Sequence, residues 1–254
     1  MRPYEPGGAE KGMRIRAVVA YDGTDYQGFQ RQPNGPTVQE ALERALTRVT
    51  GEPAKVLAAG RTDTGVHAEG QVIAFDTEWR HSLEDLQRAL NAVLPPDVAI
   101  WEVAEASPGF HPRYDARSRH YRYTVYNHPV RSPLARRTSM HEPHRLNVEA
   151  MRAAAQRVVG EHDFAAFGWP PKGNNTVRRV LRAEWSGEPP WLYFDIEANA
   201  FLYRMVRKLV GTMLLVGRGQ MTVEEFVQVM VSRDRSKAGP AAPPQGLCLV
   251  EVKY

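Results

Sequence analysis

The sequence predicts an α+β fold of two ferredoxin-like, RRM-like halves, each running βαββαβ, that share a central, mainly antiparallel sheet with a basic cleft between them. Three observations carry this reading. Strand-like runs rich in β-branched residues alternate with amphipathic helical runs. The order of elements in the first hundred residues recurs in the remainder with no repeat of the sequence itself. A proline-bearing, arginine-rich stretch, Pro108 to Arg117, separates the two series. The reading divides the chain into an N-terminal extension at 1–12, expected to be disordered, a first half at 13–110 and a second half at 111–254.

In the first half, Arg14 to Ala20 alternates as a strand and YDGT supplies its turn. Thr37 and Glu40 form the sequence pattern of a capping box before VQEALERALTRV, where Val38, Ala41, Leu42, Ala45, Leu46 and Val49 share one helical face. Strands are expected at 55–59 and 71–76, then a helix at 82–93 with Asp85 in its first turn. The Leu-Pro-Pro-Asp break precedes a strand at Val98 to Val103. The second half repeats the order: strand 119–127, helix 147–159, strands 177–185 and 191–198, helix 202–216, an added helix 222–232 and a last strand 247–252.

Composition sets limits. With 254 residues, 43% hydrophobic and 24% charged, the chain can build one large domain or two modest ones. A net charge of +4 suits a polyanionic partner without naming one. Of the 33 basic residues 27 are arginine, the side chain suited to bidentate phosphate contacts and to stacking on bases. Cys248 stands alone, which excludes an internal disulfide and a cysteine-based metal cluster and points to the cytoplasm. Residues 1–12 lack the apolar segment of a signal peptide, and the longest apolar-rich stretch, Leu209 to Val216, is too short to span a bilayer, so no membrane association is expected. Met13 reads as an alternative start, because MRIRAVVAYDGT opens like a first strand.

The chemistry points to GRTDTGVHAEG, residues 60–70, read as a polar loop between two strands that presents a single aspartate, Asp63. Gly60 and Gly65 free the backbone, Thr62 and Thr64 offer hydroxyls, and Arg61 and His67 bring positive or polar groups toward the acid. An aspartate held this way serves as nucleophile or base. Three further segments stand out. Phe110 to Asn127 interleaves arginines with tyrosines; on a period of two, Arg119, Tyr121, Tyr123 and Val125 share one face and His120, Arg122, Thr124 and Tyr126 the other. That pattern suits phosphates and an unstacked base, or a sheet with solvated arginines and core tyrosines. The helix containing FLYRMVRKLVG sets Arg207 among apolar residues, either as part of a polar stripe or as the partner of Asp63. PAAPPQGLCLVEVKY ends the chain as a proline-rich loop and a strand that closes the sheet or covers a bound base.

Taken together, YDGTDYQGFQRQ, GRTDTGVHAEGQVIAF, FHPRYDARSRHYRY, DFAAF, NAFLYRMVRKLVG and PPQGLCLVEV, in order from Met13 to Lys253, closely resemble the tRNA pseudouridine synthase A family. The resemblance implies an isomerase that converts uridine to pseudouridine at positions 38, 39 and 40 in the anticodon stem and loop of tRNA. It also implies a cytoplasmic homodimer with no metal or organic cofactor. By motif, Asp63 would be the nucleophile, Arg207 the partner of its carboxylate, Tyr121 the aromatic that packs on the target base, and Arg61 the side chain that holds the flipped nucleotide's place. Thr64 and Pro112 stand where the family more often has alanine, and neither is at a catalytic position. Two rivals remain at this stage. A non-catalytic RNA-binding protein of two RRM-like halves would need an RNP1-like aromatic octamer, which is not evident. An aspartate-dependent hydrolase would need a second carboxylate or a metal cluster of suitable spacing, and Asp76, Glu78 and the eight scattered histidines supply neither.

Overall fold

A computed structural model describes residues 12–254. Of the N-terminal extension expected at 1–12, all but Gly12 lies outside the described residues. The first half comprises β1 (Met13–Tyr21), α1 (Val38–Thr50), β2 (Leu57–Ala58), β3 (His67–Thr77), α2 (Leu83–Val93) and β4 (Val98–Glu105). The second comprises β5 (Ser118–Asn127), β6 (Met140–Glu142), α3 (Val148–Gln156), β7 (Gly160–Asp163), β8 (Val177–Glu188), β9 (Trp191–Ala198), α4 (Met205–Gly217), α5 (Val223–Ser232) and β10 (Leu247–Lys253).

The helices start where local chemistry caps them. Thr37 Oγ1 accepts from Glu40 N–H at 3.3 Å, but the Glu40 carboxylate turns to Arg44 at 2.8 Å, so only half of the expected box forms at α1. Ser82 caps α2 through Asp85 N–H at 3.1 Å. The reciprocal box forms at α5, between Thr222 and Glu225. Three expectations shift. β3 begins at His67, so the last four residues of the polar motif are strand and the loop is shorter than the sequence suggested. α4 begins at Met205 because Arg204 takes a left-handed backbone conformation at the preceding position. β6 and β7 were not expected: three and four residues carry no periodic signal, and they exist because β5 and β8 supply their backbone hydrogen bonds.

The strands form one ten-stranded sheet in the order β4-β1-β3-β10-β5-β9-β8-β7, with β2 added to β3 and β6 to β5. All pairs are antiparallel except β3 with β10 and β5 with β6. The seam between the halves is the parallel pair. β2 occupies only the part of β3 around Ile73 and Ala74, which leaves the edge at His67 and Ala68 for Cys248 and Leu249 of β10. Gly70 lets the backbones meet there, since a Cβ at that position would lie 2.2 Å from the Val250 carbonyl oxygen. One buried cluster gathers around α1, α2, β1 and β3, and a second around α3, α4, α5, β5, β8 and β9. Tyr121 packs against both. No helix among the described residues is long and apolar enough to cross a membrane.

Candidate active site

Asp63 sits in the segment that joins β2 to β3, and its backbone is held from several directions. Ala59 N–H donates to Val72 O at 2.8 Å, and Gln71 Nε2 donates to Gly60 O at 2.9 Å. Phe29 N–H donates to Thr62 O at 3.1 Å, and the Thr62 hydroxyl lies 2.7 Å from that of Tyr21. A turn closed by Val66 N–H on Asp63 O, at 3.1 Å, places Gly65 at φ 75°, which favours glycine. Gly60 does not need this freedom. Its missing side chain leaves room beside the Tyr121 hydroxyl, 3.9 Å from where a Cβ would stand.

The second half meets this loop through the first turn of α4. Arg207 Nη1 donates to Asp63 Oδ2 at 3.2 Å, while Nε donates to Ala242 O at 2.7 Å. Ala242 N–H donates back to Arg207 O at 2.9 Å, so the proline-rich loop pins the arginine as well as leading into β10. The paired side chains are largely covered, 13% exposed for Arg207 and 18% for Asp63. Asp63 Oδ1 has no hydrogen-bond partner among the described residues. Burial raises the Asp63 pKa above the ordinary aspartate value, and Arg207 followed by Arg204 draws it back only in part. An ion pair alone would lower it; desolvation sets the net direction.

Tyr121 lies on β5, opposite Leu249 of β10 and Ile196 of β9, with its ring edge-on to Phe201 at 5.0 Å and 84°. Its hydroxyl makes no hydrogen bond among the described residues, and burial raises its pKa, so the phenol is protonated at neutral pH. Arg61 is exposed and forms no salt bridge among the described residues; it does not pair with Asp63. His67 departs from its expected place beside the acid. Its Nδ1 lies 3.0 Å from Gly23 N and 3.1 Å from Asp22 Oδ1, and its Nε2 lies 2.8 Å from Arg137 O. Thr64 is exposed.

Other groups that shape the site carry little sequence signal. Arg119 is buried without a carboxylate and instead donates to Ala59 O at 3.2 Å, Arg113 O at 2.6 Å and Asn199 O at 2.9 Å, tying the start of the Asp63 loop to the second half. Arg137, from the segment between β5 and β6, reaches across to Asp22 at 3.2 Å and Asp25 at 2.6 Å. Alternation on a strand marks Arg119 as basic but not as buried.

At the seam between the halves meet a carboxylate with one oxygen unpartnered among the described residues, an arginine that orients the other, and an aromatic ring, the kind of arrangement that aspartate nucleophile or base chemistry requires. The sequence model of the family described as tRNA pseudouridine synthase matches residues 17–115 and 154–254. Proteins named tRNA pseudouridine synthase A are similar over nearly the whole chain. The one from Geobacter sulfurreducens is 47% identical, covering 94% of this chain and 99% of its own. Those from Moorella thermoacetica and Chloroflexus aurantiacus are 46% and 48% identical over 94% of this chain, covering 99% and 88% of theirs. The chain belongs to the tRNA pseudouridine synthase family and is an isomerase, which sets aside the reading as a non-catalytic RNA-binding protein.

Proposed function

We propose that this enzyme isomerises uridine to pseudouridine at positions 38, 39 and 40 in the anticodon stem and loop of tRNA, with Asp63 as its nucleophile. The observation that carries the assignment is the seam contact: Arg207 holds one Asp63 oxygen at 3.2 Å and leaves the other without a partner among the described residues. In the reaction the N1–C1′ bond breaks, the uracil turns while held in the site, and a C5–C1′ bond forms as C5 loses a proton and N1 gains one. An oxygen nucleophile beside the sugar and base drives the first step, and a stacking surface retains the detached base. Asp63 supplies the oxygen; Tyr121, set edge-on against Phe201, supplies the surface. Arg207 keeps the carboxylate oriented, and Arg61, exposed and free of salt bridges among the described residues, takes the space that the flipped nucleotide leaves. Extracting the base costs on the order of a few kcal/mol, offset by phosphate contacts that weaken with salt.

The two halves read as residues 13–110 and 111–254, a division supported by the two buried clusters. The family resemblance supports a homodimer in the cytoplasm, with tRNA as the only further partner; sedimentation of the purified protein tests the dimer. The reaction is tested by tritium release from C5-tritiated uridine in an unmodified tRNA transcript, with products located by carbodiimide-dependent primer extension. Release mapped to the 3′ side of the anticodon arm, and absent in Asp63→Asn, is the expected result. Wild-type turnover by Asp63→Asn would remove the nucleophile assignment.

A further inference from the structure

Ahead of α4, whose first turn carries Arg207, two large rings stand partly in solvent. Trp169 is 42% exposed and Tyr203 39%. They are not loose: the two residues form an isolated antiparallel bridge, with Tyr203 N–H donating to Trp169 O at 2.9 Å, and the ring centroids lie 4.8 Å apart at 52°. A cation flanks each ring. The Arg235 guanidinium lies over Trp169 at 5.4 Å and that of Arg204 over Tyr203 at 5.1 Å. Neither arginine forms a salt bridge among the described residues. Arg204 also takes φ 61°, a strained backbone for a residue with a Cβ, and does not cap the helix with its side chain. Such strain persists where the surroundings over-determine it, and it gathers at functional sites.

We propose that Arg235, Trp169, Tyr203 and Arg204 form a stacking subsite for an unpaired nucleobase that flanks the target uridine, with the two arginines receiving the adjoining phosphates. The inference rests on the reading that the enzyme acts on an RNA arm. When the target leaves its stack, the neighbouring base loses a partner, and a protein ring that takes its face stabilises the opened strand. Stacking of this kind tolerates any base, which suits a site serving several neighbouring uridines. Two rings between two unpaired guanidinium groups complement a planar group inside a polyanion. Continuity with the reaction centre is direct: Arg204 precedes Arg207 by three residues, and its charge reaches the Asp63 carboxylate.

The experiment measures binding of an unmodified anticodon-arm hairpin by anisotropy and single-turnover conversion at saturating RNA, for wild type, Trp169→Phe, Trp169→Ala, Tyr203→Ala and the double alanine variant. Each alanine change is expected to weaken binding about tenfold and to leave the saturated rate within about threefold, while Trp169→Phe keeps most of the affinity. Hairpins carrying one abasic nucleotide at successive loop positions then identify the occupant. At one position beside the target the wild type loses about tenfold and the double variant loses nothing further. Variants that melt like wild type and bind the intact hairpin equally well would overturn the subsite, as would abasic penalties that add in full to the loss in the double variant. A wild type that binds the hairpin without isomerising it would instead sink the reaction assigned above, and the binding cycle would still decide the subsite.

Discussion

Two of the aspartates that pair with arginine, Asp195 and Asp63, end in opposite electrostatic states. Asp195, on β9, is 1% exposed and fully engaged: Oδ1 accepts from His120 Nε2 at 2.7 Å and Arg122 Nε at 3.0 Å, and Oδ2 from Arg122 Nη2 at 3.1 Å. Burial pushes its pKa up, but the bonds from His120 and then Arg122 outweigh burial and leave it below the ordinary value. Asp63 has a single bond to Arg207 at 3.2 Å, and burial leaves it above the ordinary value. An arginine neighbour therefore does not define the state of an acid; the number of satisfied lone pairs against the water lost does. Asp195 is spent on structure. Asp63 retains a free oxygen and an unrelieved desolvation cost, the condition of a group that a substrate completes.

The comparison breaks most sharply at Asp63. Asp63→Asn is expected to lower turnover at least about a thousandfold with tRNA affinity nearly unchanged, measured by tritium release and by anisotropy. It should melt no lower than wild type. The sign follows from linkage: with the folded pKa raised above the ordinary aspartate value of 3.8, the folded state binds the proton more tightly than the unfolded chain. Stability therefore falls as pH rises from 3.8 through the folded pKa, and the ionised carboxylate is a burden at neutral pH that asparagine removes. A clear drop in melting temperature would show that the Arg207 pair outweighs burial after all. In wild type, activity should fall on acidification with a midpoint above the ordinary aspartate value.

At Asp195 the order of effects reverses. Arg122→Ala should cost about 2 kcal/mol of stability by denaturant titration, with turnover per folded molecule unchanged. Because the folded pKa of Asp195 is depressed, its contribution is present above 3.8 and is lost as pH falls through the folded value, and the variant, which keeps the His120 bond, should show a smaller acid transition. A comparable loss, about 2 kcal/mol from overpacking, is expected for Gly70→Ala at the seam, accompanied by reduced turnover because β3 follows the Asp63 loop and β10 follows the Ala242 loop that holds Arg207. Wild-type stability there would mean that the Val250 backbone yields freely. The smallest effect belongs to Tyr121→Phe. Its hydroxyl has no protein partner among the described residues, so a loss within about tenfold supports a stacking role, and an Asp63-sized loss would assign proton transfer to the phenol.

Much of this was legible in the chain because it is local. Helix starts at Thr37, Ser82 and Thr222 follow from side chains that cap backbone three residues away, and the apolar faces of α1 and α4 follow from period. The motif around Asp63 stood out as a lone aspartate among glycines, threonines and an arginine. The burial of Arg119 did not, because its carbonyl partners at Ala59, Arg113 and Asn199 come from segments far apart in sequence. The short β6 and β7 escaped for the same reason.

By itself, then, the sequence determined the order of elements, the caps and apolar stripes, and Asp63 with Arg207 as residues to watch. Only the tertiary structure decided that β10 joins β3 in parallel, that His67 turns toward Gly23 and Arg137, and that Asp63 rises in pKa beside an arginine. Strand pairing and desolvation depend on groups brought together from both halves, and no window of neighbouring residues contains them.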